Sequence, residues 1–133
     1  MEPSAAEDHS PERRRKKILV VEDDFLTRWG VAEYLRESRY DVIEAVNAVE
    51  AKAILVARAT IDAVFCDINL NVDPRGPEFC QWVGQQYPTL PMLLTSTDFN
   101  SSGLGHETPH RRFVAKPYTP SDIESRLSQI LGA

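Results

Sequence analysis

Cysteine is scarce: Cys66 and Cys80 are alone in 133 residues, and neither belongs to a CxxC or any metal-ligand spacing. Two buried or half-buried thiols are expected rather than a disulfide or a zinc site. No apolar run is long enough to span a bilayer, no apolar segment stands behind an N-terminal basic cluster, and no lipidation signal is present. Membrane contact is therefore not expected, and a cytoplasmic location is. Positive charge is short as well, with 15 Lys plus Arg against 20 Asp plus Glu for a net charge of −5. Residues 1–17 hold Arg13, Arg14, Arg15, Lys16 and Lys17 beside four acids, which leaves 18–133 with ten basic residues against sixteen acidic ones. So acidic a body offers no field for nucleic acid or an anionic membrane. The length admits one domain with a real core and no second.

Residues 1–16, "MEPSAAEDHSPERRRK", are polar and without periodicity, and predict a disordered tail ahead of a domain over 17–133. The basic run in it carries no interleaved aromatic, so a solvated lead-in is favoured over a nucleic-acid patch. From Lys17 onward short apolar runs alternate with amphipathic segments, the pattern of βα units around a parallel sheet. Strands are predicted at Ile18–Val21, Asp41–Ala45, Asp62–Asp67, Pro91–Ser96 and Arg112–Ala115. Helices are predicted at Phe25–Ser38, from a capping box at Asn47 and Glu50 to about Arg58, at Glu78–Tyr87, and from Thr119 to about Leu131. Leu26, Val31, Tyr34 and Leu35 are the expected inward face of the first helix. Between Thr97 and Arg111 a crossover helix is due, but Gly103, Gly105 and Pro109 and a shortage of apolar residues predict a short or absent one.

In an open parallel sheet, ligands bind beyond the C-terminal strand ends. There the first strand, in "KILVVEDD", delivers Glu22, Asp23 and Asp24, the third Asp67, and the fourth Ser96 and Thr97, while Lys116 follows the fifth. A nucleotide site would need a glycine-rich bend with bare backbone N–H groups, and carboxylates there would repel the phosphates. A carboxylate cluster instead suits a hard divalent cation such as Mg²⁺. Beside it, a carboxylate can accept a phosphoryl group while Lys116 neutralises developing charge. Asp24 has a second reading as an acid at a helix start, and Cys66 should turn to the opposite face from Asp67.

Over about residues 17–131 these residues resemble the receiver domains of two-component response regulators. The resemblance implies a flavodoxin-like, doubly wound five-stranded sheet of order 2-1-3-4-5. It also implies Mg²⁺ held by Glu22, Asp23, Asp67 and the Asn69 backbone carbonyl, with phosphorylation of Asp67. Ser96, counted from Pro91 and preferred to Thr95, would bind the phosphoryl group with Thr97 and Lys116. Phe113 would be a rotamer switch, and Lys116-Pro117 a cis peptide. Asn69 and Asp98 stand where the family tunes dephosphorylation. The chain departs from the pattern at Arg39, where a glycine is usual, at Asn71, where a proline is usual, and in its reduced fourth helix, a feature of some stand-alone receivers. The implied protein is a monomeric or weakly dimeric phosphoacceptor and not an ordinary enzyme. A sensor histidine kinase or phosphotransfer protein would phosphorylate it, and with no effector segment after Leu131 its output would be contact with a downstream protein or onward transfer. The alternative is a phosphorylation-independent binding module on the same fold. A hydrolase would want a second Asp where Asn69 stands.

Overall fold

The alternating segments fold, in a computed structural model, as β1 (Lys17–Val21), α1 (Phe25–Glu37), β2 (Asp41–Ala45), α2 (Ala48–Ala57), β3 (Ala63–Asp67), α3 (Gly76–Gln86), β4 (Met92–Ser96), β5 (Arg111–Ala115) and α4 (Pro120–Leu131). The structure describes residues 14–57, 60–70, 75–99 and 103–132. The expected tail lies outside them through residue 13, as does the departure at Asn71. The strands are all parallel in the order β2-β1-β3-β4-β5, the doubly wound sheet that the resemblance implies.

Strand periodicity sorts the core into two clusters, one on each face. Leu19, Val21, Val64, Cys66, Met92 and Leu94 meet Ala51 and Leu55 of α2 and Phe79 and Val83 of α3. Ile18, Val20, Phe65 and Leu93 meet Val31 and Leu35 of α1 and Ile123 and Leu127 of α4. Cys66 thus lies in the α2/α3 core, and both cysteines are buried free thiols.

Local signals account for the helix ends. Thr119 and Asp122 form a reciprocal capping box: the Asp122 amide donates to Thr119 Oγ1 at 3.2 Å and the Thr119 amide to Asp122 Oδ2 at 2.8 Å. At α2 the Glu50 amide donates to Asn47 Oδ1 at 2.8 Å, but the Glu50 carboxylate reaches one residue further, to the Val46 amide at 3.0 Å. Arg39 takes the left-handed conformation, φ 74°, at the turn where a glycine is usual. Two expected contacts of α1 fail: Leu26 is 73% exposed and Tyr34 38%, so only Val31 and Leu35 of that set are buried. The helix carries apolar residues around much of its circumference, and periodicity alone does not choose among them.

Among the described residues between β4 and β5 there is no helix. Its covering role falls to single side chains. Leu104 is buried in the α2/α3 core, held where its carbonyl accepts from Arg111 Nη1 at 3.2 Å. Phe99 lies flat on Phe113, centroids 4.4 Å apart and planes within 6°. A backbone pair between Thr108 and Arg111 leads the chain into β5.

Candidate functional site

β1 and β3 are neighbours whose following connections run to opposite sides of the sheet, which leaves a crevice beyond their C-terminal ends. Glu22 follows β1 and Asp67 ends β3. Carboxylate oxygens of Glu22, Asp23 and Asp67 there lie within 4.8 Å of one another. Lys116 Nζ is 3.0 Å from Asp67 Oδ1, and the Asn69 amide donates to the same oxygen at 2.9 Å. Oδ2 receives no hydrogen bond from the described residues. The Lys116-Pro117 peptide is cis. These groups open into a cleft of about 740 Å³, with Asn69, Thr97 and Lys116 at its polar end and Leu26, Pro117 and Tyr118 on its apolar wall.

Glu22 is only 3% exposed, and its carboxyl is pushed up to about 7, by burial first and further by the charges of Asp67 and Asp23, against the Asp24 amide that donates to Oε2 at 3.0 Å. Three acids so close, with one ammonium between them, carry uncompensated negative charge. This oxygen set fits a hard divalent cation. Asp24 does something else. Its carboxylate is exposed, caps α1 by accepting from the Thr27 hydroxyl at 2.6 Å and amide at 2.9 Å, and those bonds hold it below the usual carboxylate range.

Metal-free stability should therefore depend on pH through Glu22. Between the ordinary glutamate value and about 7 the native state binds a proton that the unfolded chain has released, so stability falls as pH rises through that window. The melting temperature without Mg²⁺ is expected to drop between about pH 5 and pH 7.5. Glu22→Gln should flatten that drop, and an equal drop in the variant would assign the effect elsewhere.

The other expected site residues are distributed unevenly. Thr97 lines the cleft, and its amide donates to Asn69 Oδ1 at 3.3 Å, tying the loops after β3 and β4 together. Ser96 does not line it. Its hydroxyl accepts from the Asp98 amide at 3.0 Å, and the residue is in step with Met92 and Leu94, on the α2/α3 face. Thr95 is in step with Leu93 on the α1/α4 face, directly in register with Asp67, and its fully buried hydroxyl has no hydrogen-bond partner among the described residues. Phe113 stands away from the cleft, against the α2/α3 core and Phe99. Arg28, which no motif singles out, donates to the Glu22 carbonyl at 3.0 Å and pairs with Glu44 at 3.1 Å, anchoring the main chain of the acidic turn.

A family model described as the response regulator receiver domain matches residues 18–128. The aerobic respiration control protein ArcA of Escherichia coli (strain K12) is 30% identical over 115 residues, which are 86% of this chain and 48% of that protein. The alkaline phosphatase synthesis transcriptional regulatory protein PhoP of Bacillus subtilis (strain 168) is 33% identical over 119 residues, 87% of this chain and 48% of that one. This chain spans about half the length of these curated relatives. Among solved structures, the Vibrio cholerae chemotaxis protein CheY4 superposes with a TM-score of 0.76 at 25% identity, over 89% of this chain and all of that one. No helix among the described residues is long and apolar enough to cross a membrane.

Proposed function

The chain belongs to the response regulator receiver domain family, and from that premise we propose that Asp67 accepts a phosphoryl group from a histidine kinase or phosphotransfer protein in a Mg²⁺-dependent step. The observation that carries this reading is the Lys116–Asp67 pair at 3.0 Å inside a trio of carboxylates. Glu22, Asp23, Asp67 and the Asn69 carbonyl would hold Mg²⁺, which when bound supplies neutralising charge for the phosphoryl oxygens. An Asp67 carboxylate oxygen forms the new O–P bond as the P–N bond to the donor imidazole breaks, the bonding pair leaving on nitrogen. Lys116 already sits on the carboxylate and transfers its hydrogen bonds to the phosphoryl oxygens as negative charge moves onto them.

We assign the hydroxyl that meets the phosphoryl group to Thr95 in place of Ser96. Thr95 Oγ1 is an unpartnered donor on the Asp67 face, whereas Ser96 Oγ, which accepts from the Asp98 amide, stands on the other. β4 and β5 pair Leu94 with Phe113 and Thr95 with Val114, so Phe113 shares the α2/α3 face with Leu94 and Ser96, while the space beside Thr95 on the other face is bounded by Val114. Phe113 is stacked on Phe99, so its movement would carry the β4–β5 loop along and change the surface shown to a downstream protein. Asn69, which lines the cleft, and Asp98 are the residues to vary for the lifetime of the phosphorylated state. A phosphorylation-independent binding module would leave the carboxylate trio and its lysine without a purpose.

Incubation with acetyl phosphate and Mg²⁺ followed by intact-mass measurement tests the assignment. The wild type is expected to gain ~80 Da and Asp67→Asn to gain nothing. No adduct on the wild type, or an adduct that survives Asp67→Asn, would overturn it.

A further inference from the structure

Among the described residues two buried side-chain oxygens lack a hydrogen-bond partner, Thr95 Oγ1 and Tyr118 OH. The threonine has its use in the transfer step, and the tyrosine does not. Its ring packs edge-on against Phe65, centroids 5.8 Å apart and planes at 80°, a contact to which the hydroxyl adds nothing and which phenylalanine would make equally well. Leaving a hydroxyl buried without a partner is unfavourable, so this one calls for a reason in the site. Tyr118 lines the cleft beside Glu22 and Asp67, and burial together with the Glu22, Asp67 and Asp24 carboxylates holds its phenol above the ordinary tyrosine value. A phenol is in any case a protonated donor at neutral pH.

The acceptor that matches it is Glu22. That carboxyl takes one backbone donor, Asp24 N on Oε2, and its other close neighbours are the carboxyl of Asp67 and that of Asp23, with which it shares a hydrogen bond that would be lost once a bound cation ionises both. A donor without an acceptor and a carboxyl with a single backbone donor thus line one cleft. Resting on the function proposed above, we propose that Tyr118 is a positioning residue for the divalent cation: its hydroxyl donates to the Glu22 carboxylate of the loaded site and fixes the orientation in which that carboxylate meets the ion. A hydroxyl in this place orients a ligand without touching the metal, and loss of such a partner typically weakens metal binding about 10–100-fold.

The test is Tyr118→Phe in the full chain, with Mg²⁺ alone titrated by calorimetry and melting followed with and without Mg²⁺. The Mg²⁺ dissociation constant is expected to rise about tenfold, and the gain in melting temperature from Mg²⁺ to shrink. The metal-free melting temperature should stay level or rise, since the unpartnered hydroxyl is gone. In a Glu22→Gln background Tyr118→Phe should weaken Mg²⁺ binding no further. An unchanged dissociation constant with a lowered metal-free melting temperature would make Tyr118 a packing residue and overturn the inference while the phosphoacceptor reading stood. A wild type that binds no Mg²⁺ would overturn both, and the mass adduct on Asp67 separates the two cases.

Discussion

Lys116→Ala is expected to slow phosphorylation of Asp67 about 10²–10³-fold and to leave Mg²⁺ binding as tight as in the wild type or tighter. The two effects part because, in the function proposed above, Lys116 would assist transfer yet compete with the cation for Asp67 at rest. Lys116 Nζ lies 3.0 Å from a carboxylate oxygen that is almost wholly buried, where a preorganised cation counts for more than it would in water. Removing it takes away a donor aimed at the charge that develops during transfer. The same removal leaves Glu22, Asp23 and Asp67 with no ammonium among them, which makes the trio a stronger cation site at rest. Asp23→Ala should do the reverse, losing Mg²⁺ affinity directly. Lys116→Arg is not a rescue, because a planar guanidinium does not occupy the place of a compact ammonium. Rates of adduct formation with acetyl phosphate, read by mass, and Mg²⁺ calorimetry on the same samples decide it. A Lys116→Ala rate within about threefold of the wild type would remove the lysine from the mechanism, since a developing-charge donor is worth far more.

Most of the residues that converge here are legible in the sequence, for a physical reason. Buried strands of a parallel sheet are continuous apolar runs, and the residue that breaks such a run marks the C-terminal end where ligands bind. "VVEDD" and "FCD" announce Glu22, Asp23 and Asp67 in this way, and Lys-Pro after the last strand announces Lys116. Which hydroxyl shares the Asp67 face was not legible, because "TS" offers two adjacent positions and neighbouring strand residues face opposite ways. Counting from Pro91 favoured Ser96, but only the packing of Leu93 and Leu94 against different helices shows which face each position takes. Tyr118 carries no such signal, since nothing local says that its hydroxyl ends up buried and, among the described residues, unpartnered. Leu104 escaped notice for a related reason. It plugs the α2/α3 core from an irregular segment, and irregular segments carry no period to read.

Gly76→Ala is expected to destabilise the protein by about 3 kcal/mol or more, with a fall in melting temperature on the order of 10 °C. In the sequence Gly76 reads as loop punctuation before a helix expected at Glu78. In the structure it opens α3 and is buried, and a methyl group there would fall inside the backbone of Ile68. Gly76 has no left-handed conformation to protect, so its smallness alone explains its presence. Backbone pressed by backbone has no rotamer to escape into, which puts the expected cost at the upper end of overpacking. Ile68 follows Asp67 directly and its amide donates to the Thr95 carbonyl at 2.9 Å. Pushing Ile68 away therefore disturbs the register between Asp67 and Thr95, so adduct formation should fall along with stability. Gly30→Ala is the matched control: the same methyl meets nothing within 4 Å, in a helix interior where alanine is favoured over glycine by about 1 kcal/mol. It should raise the melting temperature. Two glycines, one substitution and opposite signs separate close approach from backbone freedom, and a shared sign would refute the account of how α3 holds the Asp67 turn in place.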